Sequence, residues 1–175
     1  MVSSVSNLTV GSLQRYSEQE TKFCDPFTTV DGKDRATVTL KGLDTLWFNT
    51  GTICNLQCRN CYIESSPSND RLVYLEAADV AAFLDELDRD WQTSEIGFTG
   101  GEPFMNPEII DMLSDSLDRG YRVLLLTNAM RPMLKLSDSL IVIKKKYGKM
   151  FSLRVSLDHY TPELHELERG ANTWD

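Results

Sequence analysis

Long apolar runs are absent from this 175-residue chain. No window approaches the ~18 consecutive apolar residues that a membrane-spanning helix needs. Met1 to Arg15 is polar and lacks the basic-then-apolar layout of a secretory signal. Both absences lead to the expectation of a cytoplasmic protein with no membrane partner. Basic charge is also scarce. There are 18 Lys and Arg against 26 Asp and Glu, a formal net charge of −8, so nucleic-acid binding, which needs a basic face, is not expected. The one basic run, Lys144 to Lys146, falls at the end of a predicted helix, where the helix dipole favours it. Histidine occurs twice, with no nucleophile at a recognisable motif beside either residue, which argues against a hydrolase. His159 reads as a surface loop residue. No internal sequence repeat is evident.

Cysteine is sparse but clustered. Of four cysteines, Cys54, Cys58 and Cys61 fall in one loop, and Cys24 stands apart as a structural or incidental thiol. A disulfide framework is unexpected in a cytosolic chain of this size, whereas clustered thiolates suit zinc or an iron–sulfur cluster. A closed structural zinc site wants four ligands, and no fourth Cys or His lies nearby in sequence. Three local thiolates fit a cubane cluster with one iron left open. To bring three sulfurs to one compact object the loop must curl.

The remaining pattern is a strand–helix alternation. Residues 1–43 form an irregular lead-in, in which Ala36–Leu40 is β-branched enough for a short strand. Strands are predicted at 45–50, 95–99, 121–127 and 151–157. Between them lie amphipathic helices at 75–90, after Asn106–Pro107, and around Leu136, Leu140 and Ile143. A further helix opens at Thr161–Pro162. Asn106 reads as an N-cap with Pro107 at the first helical position. Tyr121–Thr127 is nearly all apolar, the mark of a strand buried on both faces. Trp47, Trp91 and Phe98 are assigned to the core. Such alternation implies parallel strands with right-handed helical crossovers. The expected fold class is α/β: parallel βα repeats forming an incomplete TIM-like barrel of about four units over residues 44–175.

Cys54-Asn-Leu-Gln-Cys58-Arg-Asn-Cys61-Tyr62 has the spacing CxxxCxxC followed by an aromatic, and Gly100-Gly101-Glu102-Pro103 follows a predicted strand about 40 residues later. Together these resemble the signatures of radical S-adenosylmethionine (SAM) enzymes, over roughly residues 45–170. The resemblance implies that Cys54, Cys58 and Cys61 ligate three irons of a 4Fe–4S cluster and that SAM chelates the fourth. It implies that Tyr62 lies near the adenine and that Gly100, Gly101, Glu102 and Pro103 contact the SAM amino group. Asn128, at the end of the third strand, would lie beside SAM. Arg154 and Ser156, two apart on the fourth, would meet its carboxylate and ribose. The implied reaction is reductive cleavage of SAM to methionine and a 5′-deoxyadenosyl radical, which takes hydrogen from a small-molecule or peptide substrate. A reductant such as flavodoxin or ferredoxin is the implied partner. The family usually has six βα units, and four are counted here. The expectation for the isolated chain is cluster binding with impaired turnover. The other readings are an iron–sulfur or SAM-binding protein without catalysis, and a zinc-stabilised module.

Overall fold

A computed structural model describes residues 25–174. The reading of Cys24 falls outside the described residues. The chain divides into two compact units, residues 1–41 and 42–175. In the described part of the first, the Asp25 carboxylate accepts the Phe27 and Thr28 backbone N–H groups, and Thr28 bridges Asp34. Ala36–Leu40 forms no strand, contrary to its composition. Val38 is 96% exposed, and a β-branched segment without a neighbour to pair with gains nothing from extended propensity.

In the second unit the alternation is realised as four parallel strands in the order β1-β2-β3-β4. They are β1 (Thr45–Asn49), β2 (Glu95–Thr99), β3 (Arg122–Thr127) and β4 (Phe151–Val155). Helix α1 (Ala77–Asp90) joins β1 to β2, and α2 (Ile109–Asp118) joins β2 to β3. A short α3 (Arg131–Leu134), not foreseen in the sequence, precedes α4 (Ser137–Tyr147). Helix α5 (Pro162–Arg169) follows β4. The sheet is open, with β1 and β4 at its edges, so it forms part of a barrel wall.

Side chains alternate across each strand, and the two faces differ sharply. Phe48, Ile96, Phe98, Val123, Leu125 and Phe151 point to one face and are buried under the helices. There they meet Val80, Leu84 and Leu87 of α1 and Ile109, Met112, Leu113 and Leu117 of α2. Phe48 stacks on Phe98 with ring centroids 5.7 Å apart. The opposite face carries Trp47, Leu124 and Arg154, which are exposed or half-buried, and Gly97, which is buried beneath Trp47. Phe98 is thus core and Trp91 packs against it, but Trp47 does not: it is 43% exposed and lies flat over Gly97. Leu124 and Leu126 are likewise only half-buried, so β3 is buried fully on one face alone.

Asn106 is used differently from the expectation. Its Oδ1 accepts the Glu108 N–H, but α2 begins only at Ile109. The Asn106 amide donates instead to the Thr50 and Leu75 carbonyls, at 3.2 and 2.9 Å. This buried side chain ties the loop after β1 to the approach to α1. Glu108 completes the tie by accepting the Ala77 N–H at 2.6 Å. Lys144 and Lys146 occupy the last turn of α4, as the dipole argument requires. Lys144 donates to the Phe151 carbonyl and Lys146 pairs with Asp118.

A cysteine-lined cavity at the strand ends

Parallel sheets gather their sites at the C-terminal ends of the strands, where the loops converge. Here the loops after β1 and β2 are zipped together by backbone pairing that prolongs the sheet. Thr50 N–H donates to the Thr99 carbonyl, Gly101 N–H to Gly51 and Glu102 N–H to Ile53, at 2.9, 2.8 and 3.1 Å. The approach is close enough to demand glycine. A Cβ on Gly101 would lie 2.1 Å from the Ile53 carbonyl oxygen. Gly100 has φ +139° and a Cβ there would lie 2.8 Å from the Gly51 oxygen.

The cysteine loop curls through successive turns. Cys61 N–H donates to the Cys58 carbonyl and Glu64 N–H to that of Cys61. Cys54 N–H donates to Ser66. The far side of the loop is held by α5, since Arg59 N–H donates to the Glu168 carbonyl and the Asn60 amide to its carboxylate. Cys54 is buried, while Cys58 and Cys61 are half-buried. All three line one cavity of about 490 Å³.

Tyr62, Gly100, Gly101, Asn128 and Ser156 line the same cavity. Tyr62 is 82% exposed and stands at the rim. Ser156 N–H continues the β3–β4 pairing by donating to the Thr127 carbonyl. Glu102 and Pro103 are not in the cavity wall but buried beside it. The Glu102 carboxylate latches neighbouring loops, accepting Phe104 N–H, the Thr127 hydroxyl and Asn128 N–H at 3.2, 2.9 and 2.8 Å. Burial pushes this carboxyl up, and the three donors oppose it. Arg154 shares the open face with its register partner Leu126, yet it is exposed and outside the wall. The cation in the wall is Arg169, whose side chain is 11% exposed and paired with Asp158.

Arg169 sits on α5, outside the motifs that carry the resemblance, so those motifs point to Arg154 and not to it. His165 supports this corner: its Nδ1 accepts Asp158 N–H and its Nε2 meets the Thr173 carbonyl. His159 is outside the cavity wall, bonded to Thr161 and stacked on Tyr160.

Donor chemistry tests which cofactor the cavity fits. Among the described residues, no three His, Cys, Asp or Glu side chains converge on a point suited to a single metal ion. Three thiols instead line a space far larger than one ion. Backbone N–H groups already address two of the sulfurs: Leu56 on Cys54 at 3.4 Å and Ser65 on Cys61 at 3.3 Å. The Ser65 hydroxyl is buried without a hydrogen-bond partner among the described residues, and Ser65 lines the cavity. A buried orphan of this kind calls for an occupant able to bond it. The features suit a polynuclear, sulfur-rich group better than a closed zinc site.

Burial pushes the Cys54 thiol up to about 11 and raises that of Cys58 as well. The fold therefore holds the Cys54 proton more tightly than the unfolded chain does. That contribution to stability is present below pH 9 and is lost as pH rises toward 11. Reactivity follows. At pH 8 a thiol at the ordinary value of 9.0 is about a tenth ionised, against roughly a thousandth for one at about 11. Greater intrinsic nucleophilicity recovers about tenfold of that difference. Cys54 should thus react with an aromatic disulfide reagent about tenfold more slowly in the folded, cluster-free chain than in the unfolded one. Peptide mapping after timed labelling measures this, and equal rates would contradict the assignment of a buried, protonated thiol.

Comparison with known proteins agrees with the fold. Residues 48–175 match the family model of the Radical SAM superfamily. The chain is 34% identical over 117 residues to the antilisterial bacteriocin subtilosin biosynthesis protein AlbA of Bacillus subtilis (strain 168), covering 67% of this chain and 25% of AlbA. The fold resembles Streptococcus suis SuiB bound to S-adenosylmethionine, with TM-score 0.62 and 20% identity over 75% of this chain and 29% of SuiB. SuiB bound to its precursor peptide SuiA matches equally, at TM-score 0.62 and 20% identity over 75% of this chain and 28% of that one. The chain thus spans about a quarter of the length of these relatives. The four-stranded parallel sheet and the family match over most of the chain together establish that this chain belongs to the radical SAM superfamily.

Proposed function

We propose that Cys54, Cys58 and Cys61 hold a 4Fe–4S cluster whose fourth iron is left to SAM, and that the chain carries the SAM-cleaving core of a peptide-modifying enzyme. The observation that carries this reading is the shared cavity: three thiols, the paired-glycine loop and the Arg169 guanidinium line one space of about 490 Å³. Such a cluster would supply one electron to cleave SAM into methionine and a 5′-deoxyadenosyl radical, which removes a hydrogen atom from substrate.

The chain's own groups divide the remaining work. Gly100 and Gly101 let the β2 loop lie against the cysteine loop, which puts their backbone in the cavity wall beside Thr99. Glu102 fixes the β2 and β3 loops from below, without itself facing the ligand. Arg169, not Arg154, offers a cation for the SAM carboxylate, and Asp158 holds it in place. Ser156 and Tyr62 stand at the wall and rim, where ribose and adenine would lie. A peptide substrate is favoured because SuiB, which shares the fold, is described with the precursor peptide SuiA. A flavodoxin or ferredoxin is the expected reductant.

Metal analysis tests the first step. After anaerobic reconstitution with iron and sulfide, the chain should carry about four irons with matching sulfide, the content of a single cubane cluster. Zinc without sulfide would identify a structural metal module instead.

A further inference from the structure

The amide nitrogen of Asn128 is committed within the protein: it donates to the Asn55 Oδ1 at 2.9 Å and to the Cys54 sulfur at 3.7 Å. Its Oδ1 accepts the Met130 N–H at 3.1 Å. The backbone of Asn128 is fixed independently, because its N–H is held by the buried Glu102 carboxylate at 2.8 Å. Asn128 lines the cavity, and its amide nitrogen is turned to the cysteine loop.

We infer that Asn128 is a positioning residue that tunes the cluster's reduction potential through its N–H···S bond to Cys54. The inference rests on the cluster reading above. The physics is general. A hydrogen bond to a ligating thiolate stabilises the more negative, reduced state of an iron–sulfur centre, and so raises its potential. Cys54 is the most buried of the three thiols, so little water is available to replace the lost donor. Leu56 N–H also addresses this sulfur, but a backbone donor cannot be changed by substitution. Asn128 is the side-chain donor to it among the described residues. Asn55 orients the amide, and Glu102 sets the height of the backbone that carries it.

The experiment compares the reconstituted parent chain with Asn128→Leu, Asn128→Asp and Asn128→Ala. Iron and sulfide are measured on each, and the reduced cluster is then quantified by EPR across a series of poised potentials. Each variant should retain parent levels of iron and sulfide. At a fixed potential on the parent's midpoint, the ratio of reduced to oxidised cluster should fall about threefold to tenfold. A tenfold fall is about 59 mV for a one-electron couple. Asn128→Asp should fall furthest, because it replaces the donor with a negative charge. Unchanged potentials in variants that keep their clusters would overturn the inference and leave the cluster reading intact. Loss of the cluster in all three variants would also overturn it, making the amide a folding element rather than a tuner. A parent chain that takes up no iron and sulfide would overturn the cluster reading itself, and this inference with it.

Discussion

Replacing Cys54, Cys58 or Cys61 with alanine, one at a time, is expected to cut cluster affinity by on the order of a hundredfold or more. Outer partners of a metal site are already worth about 10–100-fold in affinity, and a direct ligand is worth at least as much. The cavity has no reserve, since the described residues place no further Cys or His in its wall. Cys24→Ala should retain the parent's iron and sulfide. The three variants should also differ from one another before any cluster is added. Cys54 is buried and receives two donors, so its loss disturbs the loop as well as the ligand set. Iron and sulfide analysis after matched reconstitution measures all four variants. Equal iron in the parent and in any one of the three would remove that cysteine from the ligand set.

Gly101→Ala is expected to cost about 3–5 kcal/mol of stability, from overpacking and two lost hydrogen bonds. The new Cβ would meet the Ile53 carbonyl oxygen at 2.1 Å and its carbon at 2.6 Å. Those atoms are backbone, and no rotamer change can withdraw them. The strain is relieved only by parting the cysteine loop from the β2 loop, which breaks the bonds from Gly101 N–H to Gly51 and from Glu102 N–H to Ile53. Cluster retention should fall with it. Gly97→Ala is the informative contrast. Its Cβ would lie 2.3 Å from the Trp47 ring, nominally almost as close. Trp47 is a half-exposed side chain that can swing toward the open face, so a cost nearer 1 kcal/mol is expected, at the low end for an overpacked site. Denaturant unfolding midpoints compare the two. Equal losses would mean that the two loops tolerate separation and that Gly101 is not the constraint described.

The sheet was legible because its signal is strong and local. Apolar positions at helical spacing predict the helix at 75–90 that becomes α1, and the run Tyr121–Thr127 predicts β3, within a residue or two of the observed ends. The cysteine spacing and paired glycines likewise pointed to one place, and the fold brings them there. What escaped was the use to which each polar group is put. Glu102, Asn106 and Asn128 each commit side-chain atoms to backbone or side-chain groups of other loops. No pattern in one dimension distinguishes an amide facing a ligand from one bridging two loops. Arg169 was missed for a related reason: it reaches the cavity through the packing of α5 against the cysteine loop, via Glu168. Ala36–Leu40 shows the opposite error, a local propensity with no strand beside it among the described residues.

If the three thiols leave one iron open for SAM, the EPR spectrum of the reconstituted, reduced chain must respond to that ligand. The expected result is a cluster signal whose g-values shift when SAM is added. A signal of full intensity that SAM leaves unchanged would contradict it, and would mark the chain as a cluster-binding protein with no open iron for that ligand.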